Sequence, residues 1–300
     1  MPKPTHCPNP NCTCHDHPVD KFYIKKGYYT TKHNHQPVPR YQCKFCKKYF
    51  SSHTFSDTYK QKKPELNNII WKFYSSNVSL NRLAINLECN RKTVVRKFLF
   101  LAYKSRRIHE QKLKEGTFPV TKYLQFDEME TYEHTRKKPL SIALAVRMYF
   151  DKDGTIRAGE IIDAIVATMN CKGWLAAKSR ELYGEREDTR DEARNEVMES
   201  VKKACQGKRV IIGTDGKTDY PPVIKKVLPD SDIRVFTRKQ VANTEYDPLF
   251  VLNHTCALIR HDLSRMARKS WVNTKKADRL QAHLDLYIAY KNGYNIMSNH

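Results

Sequence analysis

The 300-residue sequence lacks any apolar segment long enough to cross a membrane. Its longest apolar run, about Leu140 to Val146, is far shorter than the roughly 20 residues that a spanning helix needs. The first residues, Met-Pro-Lys-Pro-Thr-His, contain no apolar signal region, so we expect neither secretion nor membrane insertion. Acidic side chains are also scarce, since 32 Asp and Glu accompany 54 Lys and Arg and leave a net charge of +22.

This positive charge is concentrated in the first 116 residues. Residues 1–63 carry a net charge of +9 and residues 64–116 carry +7, whereas residues 117–300 carry only +6. A solvated lysine-rich surface would give the same counts, but clustered cations favour a polyanionic partner because each neutralised phosphate releases counterions. We therefore expect nucleic acid as a partner. The length indicates two or three domains, and 40% hydrophobic residues suffice for packed cores.

The nine cysteines are an odd number, and five of them fall within the first 46 residues. Without a secretory signal, such a cluster indicates a metal site rather than a set of disulfides. Cys7 and Cys12 form one close pair, and Cys43 and Cys46 form another about thirty residues later. Two such pairs, separated by a segment of β-hairpin length, place four thiolates around one zinc ion. Four protein ligands leave no open position, so the zinc would be structural.

The first cysteine pair is ambiguous, because three neighbouring side chains are also zinc ligands by type. Cys14, His15 and His17 each follow closely enough to replace Cys12. The intervening stretch is rich in Tyr and Lys, which suits short strands. We expect a zinc ribbon over residues 1–60, and the alternative is a set of free thiols with a His-rich tail.

Residues 61–107 have helical periodicity and predict a helix-turn-helix domain. Leu66, Ile69, Ile70, Phe73 and Tyr74 recur at helical spacing, a second helix begins after the N-cap residue Ser79, and a third begins at Arg91. A short helix, a tight turn at residues 88–90 and a basic helix match the arrangement that reads a DNA groove. The residues expected to face outward are Arg91, Lys92, Thr93, Arg96 and Lys97. A three-helix bundle with a charged face is the alternative.

Residues 118–300 predict an α/β domain with a mixed sheet and flanking helices. The strand-like runs are residues 123–127, 141–150, 156–168, 209–216 and 233–236; helical runs cover 172–205 and 247 to about 268. The charged segment 172–205 has the pattern of a solvated helix face, with no site implied. In layered α/β folds, ligands collect near strand ends.

Two of these strands end on a carboxylate, Asp127 and Asp215. Two carboxylates placed together repel unless a cation lies between them. Mg²⁺ or Mn²⁺ suits such a pair, because these hard ions take oxygen ligands and substrate phosphates. A turn or cap role explains most single strand-end aspartates, so the hypothesis depends on both residues and on the DNA-binding modules before them.

The order of a CPxxxC…YxCxxC ribbon, a helix-turn-helix and a strand-borne Asp pair resembles small zinc-ribbon insertion-sequence transposases. The late basic stretch Leu263–Ser270 is similar to the "LxRLARKT" helix of that family. The resemblance implies a DNA transposase with an RNase H-like core that binds element ends and catalyses Mg-dependent phosphodiester hydrolysis and strand transfer. It also implies double-stranded DNA as partner, a homodimer or higher oligomer, and a cytoplasmic, nucleoid-associated protein of prokaryotic or phage origin.

The family's third acid does not carry over, because its position falls on Asn253. An amide oxygen ligates Mg²⁺ but brings no charge. Asp262 lies nine residues further along the expected helix, on its opposite face. His254 is adjacent and would coordinate or act as an acid or base, and a loop would bring in Glu245 or Asp247. An inactive, transposase-derived DNA-binding regulator is therefore the alternative function, and a zinc-stabilised RNA-binding protein is a weaker one.

Further DNA contacts are expected from the last basic segment. Arg260, Ser264 and Arg268 recur every four residues, one helical row that suits phosphates. The neighbouring Arg265 and Lys269 belong to the same basic stretch. Ion pairing with the acidic residues between 181 and 199 is the alternative.

Overall fold

In a computed structural model the chain forms two compact units, Met1–Leu66 together with Met297–His300, and Asn67–Ile296. The structure describes residues 3–30, 37–237, 247–266 and 273–297. Within those ranges, no helix combines the length and the apolar character that crossing a lipid bilayer requires.

The first unit is a small antiparallel sheet beside a cysteine cluster. Its elements are the one-turn helix α1 (Thr13–Asp16), the strands β1 (Tyr23–Thr30), β2 (Pro37–Cys43) and β3 (Tyr49–Ser51), in the order β1-β2-β3, and a 3₁₀ turn at Ser52–Phe55. Phe22 and Phe50 stack at 6.2 Å in its small core. The core has few apolar side chains besides the cysteines, so a metal site would contribute much of the stability of this unit.

The second unit begins with three helices, α2 (Leu66–Tyr74), α3 (Leu80–Asn86) and α4 (Arg91–Lys114). Side chains cap two of them, since Ser79 Oγ accepts a hydrogen bond from Arg82 N and Asn90 Oδ1 accepts one from Lys92 N. The turn between α3 and α4 is tight, and its residue Glu88 has a φ of +45°. The local pattern of helix, turn and helix is thus as expected.

A five-stranded mixed sheet forms the centre of this unit. Its strands are β4 (Tyr123–Tyr132), β5 (Pro139–Phe150), β6 (Ile156–Thr168), β7 (Ile211–Asp215) and β8 (Asp232–Phe236), in the order β6-β5-β4-β7-β8. Antiparallel pairing joins β4, β5 and β6, whereas β4, β7 and β8 are parallel. The remaining helices are α5 (Ala176–Tyr183), α6 (Arg190–Cys205), α7 (Tyr220–Val227), α8 (Phe250–Asp262) and α9 (Ala277–Lys291), with 3₁₀ turns at Gly173–Leu175 and Ser264–Met266.

Helix α4 has 24 residues and ends at Lys114, so it continues beyond the boundary at 107 that we expect for the helix-turn-helix domain. Leu101 and Leu113 on this helix are buried, and Arg106 forms a 2.7 Å ion pair with the fully buried Asp163 of β6. These contacts hold the helix against the sheet and α9. The expected boundaries at 107 and 118 remain predictions, and the three helices share one compact unit with the sheet.

Three further expectations about elements are wrong. Strand β4 does not end at Asp127 but runs to Tyr132, because it pairs with β5 along its whole length. Helix α7 was missed, although prolines at its first turn begin it. Helix α8 ends at Asp262 rather than near Arg268, since the Asp262 carbonyl accepts a hydrogen bond from Asn77 N instead of continuing the helix.

Candidate functional site

The first candidate site is the cluster of Cys7, Cys12, Cys43 and Cys46. Their sulfur atoms all lie within 4.8 Å of one another. The Cys7–Cys46 sulfurs are 3.5 Å apart and the Cys12–Cys43 sulfurs 3.8 Å. Four sulfurs at about 2.3 Å from one tetrahedral zinc ion would be about 3.8 Å apart, so this cluster could bind a metal ion such as zinc.

The backbone around these cysteines also decides between the alternative ligands. Cys14 is buried but lies outside the set of four. The ring of His15 is bound through Nδ1 to the Cys7 carbonyl oxygen at 2.7 Å. In the second pair, Lys47 N donates to the Cys43 carbonyl and Lys47 adopts a φ of +59°, which turns the chain back so that both cysteines point to one place. The set with Cys12 is therefore the one that the fold brings together.

The second candidate site contains Asp127 and Asp215, which the sheet places on neighbouring strands. Strands β4 and β7 are parallel, with Gln125 opposite Gly213. The recorded pairing ends there, and continuing each strand by two residues leads to Asp127 and Asp215 on the same face, because side chains alternate with a period of two. Asp215 is the last residue of β7, so the pair lies where the β4–β7 pairing ends. Asp127 thus lies at the end of this ladder, although β4 itself continues.

Asp127 is held by a tyrosine and a backbone amide. Its Oδ1 accepts hydrogen bonds from Tyr220 Oη at 2.7 Å and from Glu128 N at 2.6 Å. Lys217 Nζ donates to the same tyrosine oxygen at 2.8 Å and lies 3.5 Å from Asp127 Oδ1. Burial, with the charges of Asp127 and Glu128, raises the pKa of Tyr220 far above its usual range, so this hydroxyl remains a donor. Asp127 is therefore fixed in position without an arginine partner among the described residues.

Asp215 is less strongly compensated than Asp127. Its Oδ1 accepts a hydrogen bond from Lys217 N at 3.0 Å, which closes the turn after β7. Burial and the nearby negative charge of Asp127 raise the pKa of Asp215, although the Lys217 amide and charge oppose this. Burial is the largest cause of this shift, and the smaller contribution from Asp127 places the two carboxylates near enough for their charges to interact.

Glu128, the next residue of β4, is neutralised by an arginine, and its Oε2 also lies 3.4 Å from Tyr220 Oη and 3.6 Å from Lys217 Nζ. The guanidinium of Arg194 on α6 donates to both of its carboxylate oxygens, at 3.0 and 2.9 Å, and both side chains are almost fully buried. Burial disfavours the charged form, but Arg194 outweighs it and lowers the pKa of Glu128. Segment 172–205 is thus more than a solvated face, because its Arg194 supports the strand beside Asp127. Glu128 is occupied and offers no free ligand.

Helix α8 is attached to the sheet next to the aspartates through Gln125. Gln125 Nε2 donates to the Pro248 carbonyl at 2.7 Å, and its Oε1 accepts from Leu252 N at 2.8 Å. A Cβ on Gly213 would be in ordinary contact with Gln125 Cγ at 3.5 Å but would lie 3.3 Å from the Phe236 ring, so glycine at this position keeps space for Phe236. Gln125 lies two residues before Asp127 and shares its face, and it directs the start of α8 to this face.

The residues expected from α8 lie on its exposed side. Asn253 Nδ2 donates to Asp247 Oδ2 at 2.7 Å, and no described hydrogen bond joins Asn253 to Asp127 or Asp215. His254 is exposed, and its ring stacks on Phe250 at 5.5 Å. One helical turn beyond Leu252, Cys256 has its pKa raised to about 11 by burial and the charge of Asp127, against the opposing charge of Arg260.

The expected DNA-binding face of α4 is present in part. Arg91, Lys92 and Arg96 are exposed and Thr93 is partly exposed. Lys97 is only 5% exposed, so the expectation that it faces outward is wrong.

The row of Arg260, Ser264 and Arg268 does not lie on one helix. Arg260 belongs to α8, whereas Ser264 and Arg265 follow the end of that helix in a 3₁₀ turn. Arg268, Lys269 and the alternative ligand Glu245 lie outside the described residues. Asp262, the other alternative, accepts a hydrogen bond from Tyr287 Oη at 2.8 Å through its Oδ2. It is therefore used in packing against α9.

Sequence reasoning missed the side chains that support the aspartate pair. Gln125 had a detectable signal, because period-two alternation places it on the face of Asp127. Tyr220, Lys217 and Arg194 had none, since their roles depend on how α6 and α7 pack. Within the described ranges, the four cysteines are the one group of three or more His, Cys, Asp or Glu side chains close enough to hold a metal.

Comparison with known proteins leaves the chain without an assigned family. No protein-family model matches the sequence, and no curated protein matches it significantly.

Proposed function

We propose that this protein is a metal-dependent DNA transposase of an insertion sequence, which binds element ends and catalyses phosphodiester hydrolysis and strand transfer. The observation that carries the proposal is that Asp127 and Asp215 each follow, by two residues, the last paired residues of two parallel strands, and that the charge of Asp127 acts on Asp215. The mixed five-stranded sheet with flanking helices is the arrangement that an RNase H-like core would have. The net charge of +22 favours a nucleic-acid substrate.

The two aspartates would hold Mg²⁺ or Mn²⁺. Their carboxylates, with phosphate oxygens of the substrate, are the ligand set that these ions take, and the second oxygen of Asp127 has no hydrogen bond to a described residue. When bound, such an ion would supply activation of water or a 3′-hydroxyl and stabilisation of the leaving oxygen. Tyr220 and the Lys217 amide would orient the carboxylates, while Arg194 removes Glu128 from competition for the ion.

Asn253 is proposed as the third metal ligand. Its Nδ2 donates a hydrogen bond to Asp247 Oδ2, and its amide oxygen would bind the ion. Asn253 brings no charge, so capture of the ion would depend on the two aspartates. A neutral third group is also what a catalytically inactive regulator would have, and the experiment below separates the two functions.

Recognition of the DNA would depend on the first 114 residues. The cysteine cluster would carry zinc and stabilise the ribbon. The exposed Arg91, Lys92 and Arg96 would face the duplex from the start of α4. Duplex DNA is favoured over RNA because a helix of this kind fits the major groove of B-form DNA.

The test uses the full-length chain and a supercoiled plasmid that carries the DNA flanking its coding sequence. We expect nicked or joined products only with Mg²⁺ or Mn²⁺. Asp127→Asn and Asp215→Asn should each lower the rate by about 10³-fold, since the ion supplies several kcal/mol of charge stabilisation. Asp230→Asn is the matched control, because Asp230 is an exposed aspartate after α7.

Asn253→Ala tests the third position in the same assay. Loss of activity supports Asn253 at that position, whereas activity equal to that of the wild type removes Asn253 from the site. If the protein binds the flanking DNA specifically but gives no products with any divalent ion, the regulator and not the transposase is the supported function. Equal activity of Asp215→Asn and the wild type would refute the proposed site.

A further inference from the structure

A cavity of about 220 Å³ lies in the second unit, between the start of α3 and α4 and the segment that follows α8. Its lining includes two arginines, a lysine, a serine and a buried asparagine: Arg91, Arg265, Lys275, Ser264 and Asn273. No Asp or Glu belongs to the lining that the structure describes. This volume exceeds what one water molecule requires, and the lining consists mostly of hydrogen-bond donors.

The central cation of this cavity, Arg265, has no acidic partner. No carboxylate of the described residues lies within ion-pair distance of its guanidinium, whose Nε donates to His283 Nε2 at 2.9 Å. Burial and the neighbouring cations Arg91 and Arg279 lower the pKa of Arg265, so its environment is strongly positive. Burial and Arg265 in turn lower the pKa of His283, and His283 therefore accepts the Nε hydrogen bond as a neutral ring. Arg265 is half-buried, and a charge withdrawn from water is normally paired with an opposite charge.

Asn273 gives a second and independent observation. Its side chain is 2% exposed, and its Nδ2 has no hydrogen-bond partner among the residues that the structure describes. Its Oδ1 accepts a hydrogen bond from Lys275 Nζ at 3.0 Å, which fixes the orientation of the amide and holds the lysine at the cavity. An unsatisfied donor costs about 1–3 kcal/mol when it is buried, and an acceptor placed in the cavity would remove that cost.

We infer that this cavity binds a phosphate group. A phosphate offers several acceptor oxygens and at least one negative charge, which match two guanidinium groups, an ammonium, a hydroxyl and the free Nδ2 of Asn273. A carboxylate has only two oxygens and would leave part of this donor set unsatisfied. The cavity connects the start of the helix-turn-helix with the chain after α8, so a bound phosphate would join two segments distant in sequence.

The phosphate has two sources, a backbone phosphate of duplex DNA or a free phosphate ion. The DNA source depends on the proposed function, whereas the anion site itself does not. A backbone phosphate seated here would fix the register of α4 on the duplex without reading its sequence. Binding of the free ion would instead stabilise the fold in the absence of DNA.

The test uses the zinc-loaded full chain and three variants. Asn273→Asp keeps the side-chain shape but replaces the free donor by an acceptor, and Arg265→Gln removes the central charge. Arg279→Gln is the matched control, because Arg279 is near Arg265 but does not line the cavity. Circular dichroism checks that each variant folds, and Asn273→Asp keeps the test valid if Arg265→Gln does not fold.

Two titrations distinguish the sources. Inorganic phosphate is titrated by calorimetry, and duplex DNA binding is measured from low to high salt. We expect Asn273→Asp and Arg265→Gln to weaken binding at least about tenfold in one or both titrations. Arg265→Gln should also lower the slope of log K against log salt by about 0.9. Arg279→Gln should keep the binding of phosphate or DNA that depends on the cavity, because Arg279 does not line it.

The outcomes assign the source or overturn the inference. An effect on free phosphate alone assigns the free ion, and an effect on DNA alone assigns the backbone phosphate. If neither variant differs from Arg279→Gln in either titration, the cavity is not a phosphate site. DNA cleavage is measured separately, so loss of the proposed enzymatic function would leave this binding result standing.

Discussion

Replacing Asp285 by asparagine should stabilise the protein at pH 8 much more than at pH 5. Asp285 lies on α9 with its side chain only 12% exposed, close to a single cation, Arg106, that serves four carboxylates. Arg106 contacts Asp163 and Glu110 at 2.7 Å and Glu196 at 3.0 Å, but its nearest atom is 3.9 Å from Asp285. Asp285 is therefore the acid that this cation compensates least.

The size of the effect follows from the pKa of this carboxyl. Burial raises the pKa of Asp285 from 3.8 to about 7, and the charges of Asp163 and Glu110 add to it, while Gln281 Nε2 and Arg106 oppose it. The pKa of Asp285 is higher in the folded than in the unfolded chain. Its favourable contribution to the free energy of unfolding is therefore complete below pH 3.8 and is lost as the pH rises through 7. Three pKa units correspond to about 4 kcal/mol, of which about 3 kcal/mol falls between pH 5 and pH 8. Asparagine stays neutral and avoids this loss.

The measurement is the free energy of unfolding in urea at pH 5, 6, 7 and 8 for the wild type and Asp285→Asn. Asp278→Asn is the control, because it makes the same change on α9 at a side chain that is 66% exposed. The difference between Asp285→Asn and the wild type should grow by about 3 kcal/mol over this range, whereas the control should stay within about 0.5 kcal/mol. A constant difference across the four pH values, or a destabilised Asp285→Asn at pH 8, would refute the reasoning.

Two further predictions concern other parts of the chain. Cys43→Ser should lower the zinc content, measured by elemental analysis, from one ion per chain to near zero. Circular dichroism should show that the first unit unfolds, because binding of structural zinc supplies about 10–16 kcal/mol. Cys14→Ser is the control and should keep the ion, so equal zinc in both variants would show that the ligand set is wrong. Arg194→Met should destabilise the second unit by about 3–5 kcal/mol, since it leaves Glu128 charged and buried. The control is Arg157→Met, because the Arg157 side chain is half-exposed. An unchanged urea midpoint for Arg194→Met would contradict the prediction.

The local elements and the cysteine pairs could be predicted from the sequence because their signals are local. The pairs Cys7–Cys12 and Cys43–Cys46 were recognisable by spacing, and the fold brings them together. The caps at Ser79 and Asn90 act within one turn of the helices that they begin. Alternation and β-branched content likewise indicated the five strands of the main sheet.

Other features depended on packing between distant segments. Lys97 is buried, although Arg91, Lys92 and Arg96 on α4 are exposed. Its exposure depends on which other segments of the second unit pack against that face of the helix. The end of α8 at Asp262 depends on Asn77, almost two hundred residues earlier in the chain. The sequence contained no local stop signal at that position, and the expected helix was therefore too long.

The sequence by itself determined which residue types were present for chemistry: four cysteines in two close pairs, two aspartates after strand-like runs, and a large excess of cations. Only the tertiary structure decided which of them meet. Parallel pairing of β4 with β7 sets Asp127 and Asp215 side by side, α6 supplies Arg194 to neutralise Glu128, and α8 is attached through Gln125. These contacts join segments about 65 to 130 residues apart, and no local pattern records a contact made only when the sheet and its helices assemble.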